Sequence, residues 1–268
     1  MFNYHDQADG LRRIMARSSA RVISVMGANG QPAETWLSQL AASMVGPGQR
    51  LLLIQAKQRP MTKYTLHAVA LRQSILSRAV VKHPQGYDLA TLAETDILTS
   101  SLSGDLKTEL NGIVSQLAYD YDTVIIEALL DPLDQTLILP VMAQHTLVLQ
   151  MGRNEAAIKS AYMTIKRLCQ QHGQLPLSVV VTDSSHEQGQ QYFMRLNQVC
   201  QQFLGISLSF LGAIPENKVV QKTENIQANG LKNRHGLESS PATQSALAFK
   251  AIARSLDQRV STSSLAAA

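Results

Sequence analysis

The stretch from Arg21 to Ala42, RVISVMGANGQPAETWLSQLAA, constrains the fold more than any other part of the chain. Val22 to Val25 is an apolar run of the kind found in strands buried on both faces, which belong in parallel sheets covered by helices. It leads through a turn holding Gly27 and Gly30 into a helical pattern from Glu34 to Met44. Similar apolar runs recur at Leu51–Ile54, Thr123–Ile126, Thr146–Gln150, Ser178–Val181 and Ser207–Leu211. Helical periodicity fills the gaps, at Leu106–Leu117, Asp134–Met142, Asn154–His172 and Glu187–Phe203. Strands alternating with helices predict an α/β fold with a doubly wound, mostly parallel sheet and a single domain over residues 21–258. Between residues 55 and 105 the pattern predicts a helix around Thr62–Arg72, a short strand at Tyr87–Leu92 and polar connections at Thr99–Gly104. Asn225–Thr243 reads as a loop. The helix after it places Leu247, Ala248, Ala251, Ile252 and Leu256 on one face, with a flexible tail over 259–268.

The 268 residues, 45% of them apolar, suffice for a large core. A net charge of +4 and a pI near 9.1 are a mild basic excess. It falls in short clusters such as Arg12-Arg13 and Lys166-Arg167, which predicts a solvated surface and no nucleic-acid partner. Cys169 and Cys200 lack metal-site spacing and read as core thiols, so no metal is expected there. No leader-like start and no apolar run of the ~18 residues a membrane span needs are found, and a soluble, cytoplasmic protein is expected.

The turn Gly27-Ala28-Asn29-Gly30-Gln31-Pro32-Ala33-Glu34 precedes a helix where phosphate-binding loops aim backbone N–H groups at an anion. MinD-type ATPases read GKGGVGKT at such a turn. Here both lysines are alanines, Ala28 and Ala33, and the magnesium-binding Thr is Glu34. Pro32 removes one further donor. Charge-assisted hydrogen bonds contribute roughly 1.5–3 kcal/mol each, so the two lost lysines cost on the order of a thousand-fold in affinity. Glu34 is favourable against the helix dipole and is expected to fill the vacated anion site. The second strand closes on Gln55 and Lys57 where MinD-type ATPases have DxD, and Glu127 stands where they carry a magnesium-linked Asp. ATP and Mg²⁺ binding are therefore expected to be lost.

Over nearly its whole length the chain resembles FlhG (also called FleN), a family of MinD-like flagellar-number regulators. Asp6-Gln7-Ala8-Asp9-Gly10-Leu11-Arg12 matches that family's DQAxxLR motif, which stimulates the signal-recognition-particle-type GTPase FlhF. Gly152–Leu168, His186–Asn217 and Ser245–Leu256 follow the family's later segments. The resemblance implies that residues 1–20 form a partner-binding helix, with Asp6 and Gln7 making polar contacts and Leu11 the apolar anchor. Ala8, Gly10 and Arg12 complete that motif. It also implies recruitment to the cell pole through partners, other flagellar assembly proteins among them. The chain departs from the family at Thr182, where an adenine-side Asn is usual, and at Asn217, where an Asp is usual. Ala28 replaces the lysine that reaches across a nucleotide-bridged dimer. The resemblance implies a C-terminal membrane-targeting helix after the core; here only STSSLAAA follows Gln258-Arg259-Val260, and membrane association is not expected.

Three readings follow. The first is a non-catalytic FlhG-like regulator that binds FlhF. The second is a slow ATPase using Glu127 and Asp131, and the third a polar-localisation scaffold for other surface machinery.

Overall fold

The computed structural model describes residues 21–30, 36–57, 61–98, 102–144, 146–215 and 241–266, with the side chains of 95, 96, 241–243 and 258–266 excepted. The strands are β1 (Arg21–Gly27), β2 (Leu51–Lys57), β3 (Val80–Lys82), β4 (Asp88–Ala93), β5 (Thr123–Glu127), β6 (Thr146–Met151), β7 (Leu177–Thr182) and β8 (Ser209–Ile214). They form one sheet in the order β3-β4-β2-β5-β1-β6-β7-β8. Every pairing is parallel except β3 with β4. The described helices are α1 (Trp36–Met44), α2 (Leu66–Ala70), α3 (Leu76–Ala79), α4 (Thr95–Leu98), α5 (Gly104–Asp120), α6 (Glu155–His172), α7 (His186–Leu204) and α8 (Pro241–Ala266).

Alternation along the central strands sorts side chains into two cores. Val22, Met26, Leu52, Ile54, Val124, Ile126, Leu147 and Leu149 face α5, α6 and α7, whose Leu110, Val114, Ile165, Leu168, Leu196 and Cys200 close that layer. Ile23, Val25, Leu51, Leu53, Ile125 and Val148 face α1 and α8, through Trp36, Leu37, Leu40, Phe249, Ile252 and Leu256. Both faces are thus covered, as the continuous apolar runs require. The long helices start on side-chain caps: Ser103 accepts from the Leu106 amide, Asn154 from Ala157 and Ser185 from Gln188. Gly173 and Gly205 sit at their positive-φ ends on α6 and α7. Cys200 is buried in this core, and burial, then Cys169 nearby, pushes its thiol up to about 12.

Four expectations differ from the structure. The pattern over Asp134–Met142 is not a helix. Its residues Leu137, Ile138 and Leu139 are buried in irregular backbone tied by a Leu130–Leu137 bridge, and a 3₁₀ turn spans only Pro140–Ala143. The helix expected over Thr62–Arg72 is the five-residue α2. In α8 the buried face is Phe249, Ile252, Ala253 and Leu256, while Leu247 and Ala251 point to solvent. The α8 backbone also begins at Pro241, inside the expected loop, and runs to Ala266.

α2 closes on a Schellman motif. The Gln73 amide donates to the Ala68 carbonyl (2.8 Å) and the Arg72 amide to Val69 (2.9 Å), with Arg72 itself at φ 59°. Glycine is usual there. A left-handed residue with a Cβ costs about 1–2 kcal/mol, of which glycine's extra chain entropy returns about 0.5–1. Arg72→Gly is therefore expected to stabilise the fold by about 0.5–1 kcal/mol, read as a higher urea midpoint. A lower midpoint would mean that the arginine side chain supports the fold.

Candidate functional site

The carboxyl ends of β1, β2, β5 and β6 converge on the turn after Gly27. The turn is closed on its own backbone. The Gly30 amide donates to the Gly27 carbonyl (2.9 Å) and the Ala28 amide to the Gln150 carbonyl (2.7 Å). The Ala28 carbonyl in turn accepts from Thr164 Oγ1 (2.7 Å) and Ser160 Oγ (3.2 Å) on α6. Gly30 has φ 74°, and a Cβ there would stand 2.6 Å from Leu130 Cδ1, so any other residue would be strained and would displace the Leu130 side chain. The Leu130 amide donates to the Gly30 carbonyl (3.0 Å), which docks the segment after β5 on the turn.

Side chains complete the closure. The indole N–H of Trp36, the chain's single tryptophan, donates to Gln150 Oε1 (2.8 Å), and its ring stacks on Phe249. Glu127 is buried, and its Oε2 accepts from the Ala56 amide (2.8 Å) at the end of β2. Gln55 is buried beside it in sequence with Oε1 unpartnered, whereas Lys57 is exposed. Asp131 has no exposed surface; it takes the Lys107 ammonium at 2.8 Å and the Leu133 amide at 2.9 Å. Among the described residues no group of three His, Cys, Asp or Glu is placed to hold a metal ion. Thr182 ends β7 with its hydroxyl on the Met151 carbonyl (3.4 Å). A concavity of about 250 Å³ opens beside the turn, lined by Gly27, Ala28, Asn29, Gln150, Gly152 and Ser160.

No protein-family model matches the chain. It is 24% identical over 258 residues to the antiactivator FleN of Pseudomonas aeruginosa, an alignment that covers 92% of this chain and 90% of that protein. A chain of the MinC:MinD cell division protein complex of Aquifex aeolicus superposes with a TM-score of 0.60 at 15% identity, over 89% of this chain and 96% of that one. A plasmid partition protein of Borrelia burgdorferi gives 0.57 at 12% identity, over 90% and 100%. The fold is that of the MinD/ParA P-loop NTPases. The structure brings Gly27, Ala28 and Gly30 together with the ends of the strands that carry Gln55 and Glu127. Ala33 and Glu34 lie outside the described residues, as do Asp6, Gln7, Ala8, Gly10, Leu11, Arg12 and Asn217.

Sequence patterns missed the polar ties, because each joins residues far apart in the chain: Lys107 to Asp131, Trp36 to Gln150, Thr164 to Ala28. The one usable sign was a polar Gln150 closing an apolar strand. The Lys107–Asp131 pair is the most exacting of them, since removing one partner of a buried ion pair costs about 3–5 kcal/mol. Lys107→Met should destabilise the protein by about that amount, and Asp131→Asn added to it should recover part of the loss, both by urea unfolding. A wild-type midpoint for Lys107→Met would show that the carboxylate does not depend on this lysine.

Proposed function

We propose that this chain is a non-catalytic, FleN-like regulator of flagellar number and placement that works through protein contacts and without nucleotide. Similarity to an antiactivator across both proteins' lengths supports the regulatory part. The observation that carries the non-catalytic part is the direction of the turn's two described amides. A phosphate loop needs them aimed outward at the anion, and those of Ala28 and Gly30 are spent on Gln150 and Gly27. The acids available for a slow ATPase are engaged as well, Glu127 with a β2 amide and Asp131 with Lys107. Trp36 sits at the start of α1 and reports on this site. Titration with ATP and Mg²⁺, followed by calorimetry and by Trp36 emission, is expected to show no saturable binding below about millimolar. Micromolar binding would refute the reading.

The partner contact is assigned to the segment before β1. Asp6 and Gln7 make polar contacts to an FlhF-like GTPase, Leu11 anchors them, and recruitment to the pole follows from that partner. The full-length chain should accelerate GTP hydrolysis by the cognate GTPase, and the Gln7→Ala/Leu11→Ala variant should lose that stimulation. Equal stimulation by both proteins would remove the assignment. No described helix is long and apolar enough to cross a membrane.

A further inference from the structure

Acidic residues are unevenly placed. From Thr35 to Tyr87 the chain holds seven Lys and Arg (Arg50, Lys57, Arg59, Lys63, Arg72, Arg78, Lys82) and no Asp or Glu, which leaves 17 basic against 20 acidic residues elsewhere. Four of the seven, Lys63, Arg72, Arg78 and Lys82, make a basic lobe at one rim of the sheet. The lobe is the α2–α3–β3 side of the sheet. Lys63, Arg72, Arg78 and Lys82 are all exposed there, and none of the described ion pairs engages Arg72, Arg78 or Lys82. The two nearest acids in the sheet are already used: Asp88, opposite Lys82 in register, accepts from the Tyr121 hydroxyl, and Glu94 accepts from Thr65 and faces His67.

The same surface exposes aliphatic side chains. Met61 is 48% exposed, Leu71 45% and Ile75 60%. Of the eight residues from Leu71 to Arg78, six are exposed and none is buried, so the segment stands out from the body and encloses no groove. It is nevertheless fixed, by the Schellman bonds above and by the Arg78 amide on the Ile75 carbonyl (3.0 Å). Tyr64 lies between Lys63 and Arg78, whose charged ends stand 5.6 and 6.0 Å from its ring centre. An arginine also holds the left-handed position at residue 72, where glycine would be easier.

We propose that the face formed by residues 61–82 docks on an anionic lipid surface, with Arg72 and Arg78 meeting headgroup phosphates and Leu71 and Ile75 entering the acyl boundary. Cations without counter-charges match a negative leaflet, each contributing a factor of about five in partition. A protruding segment that pairs aliphatic tips with long basic stems suits a fluid surface, which accepts both without a preformed pocket. An acidic protein groove would be the alternative, but protein interfaces draw on exposed aromatic anchors, and the ring here, Tyr64, is half-buried under two cations. The contact is separate from α8, where Phe249, Ile252, Ala253 and Leu256 are taken up by the protein's own core.

The test is sedimentation of the full-length protein with vesicles of phosphatidylcholine alone, and of phosphatidylcholine with about 40% phosphatidylglycerol, at low and physiological salt. Pelleting is expected with the anionic vesicles only. Arg72→Glu/Arg78→Glu should lower the partition coefficient at least about tenfold, Leu71→Ser/Ile75→Ser should lower it at unchanged charge, and Arg72→Gly should lower it about fivefold while raising the thermal midpoint. Lys159→Glu/Lys166→Glu, the same charge change on exposed α6 positions, should leave it within about twofold. Thermal melts establish that each variant is folded. Failure to pellet with anionic vesicles, or equal loss in the α6 variant, overturns the proposal. So does capture by polyglutamate through Arg72 and Arg78 without vesicle binding, which would assign the face to an acidic protein.

Discussion

The contact between Leu130 and the bare Cα of Gly30 is the constraint on which the carboxyl edge of the sheet depends. Because residue 30 has no side chain, the chain leaving β5 can lie directly on the turn leaving β1, and the Leu130 amide reaches the Gly30 carbonyl. That placement fixes where the chain goes next: Asp131 turns into the body to meet Lys107, and Leu137 pairs back with Leu130. Thr164 and Ser160 hold the far side of the same turn through the Ala28 carbonyl. One glycine thus sets the spacing of three layers.

Most of the architecture was legible because it is written in periodicity. Each of the six apolar runs predicted as strands is a strand, five of them extended by one to three residues and the last, β8, shifted two to three residues later, and the four helical stretches Glu34–Met44, Leu106–Leu117, Asn154–His172 and Glu187–Phe203 correspond to α1, α5, α6 and α7. Asp134–Met142 misled because Leu137, Ile138 and Leu139 are buried in irregular backbone and Val141 and Met142 in a single 3₁₀ turn, and such burial leaves no period to distinguish it from a helix. The face of α8 was misjudged for a related reason. Alanines at 248 and 251 count as apolar yet need no burial, whereas Phe249 is buried and stacks on Trp36.

The candidate site was legible only in part. Ala28, Gln55, Lys57 and Glu127 are marked in the sequence by their places at the ends of the apolar runs that form β1, β2 and β5. What composition does not encode is where the remaining donors point, and this is settled by hydrogen bonds between residues more than a hundred positions apart. The basic lobe escaped notice for a different reason. Counting clusters of Lys and Arg finds short, ordinary groups, whereas the informative quantity is the missing acids across the same interval.

The two rims of the sheet carry one more consequence. On one side β3 is only three residues long, runs against its neighbour and ends in the exposed Lys82. On the other, the β7–β8 ladder shifts register between Val179 and Val180, and α8 lies over β8 where Gly212 leaves room for Ile252. A short charged rim and an irregular rim under a helix are both poor templates for another strand. The sheet is therefore finite by construction. Copies of this chain can crowd together at one place in a cell without their sheets joining edge to edge.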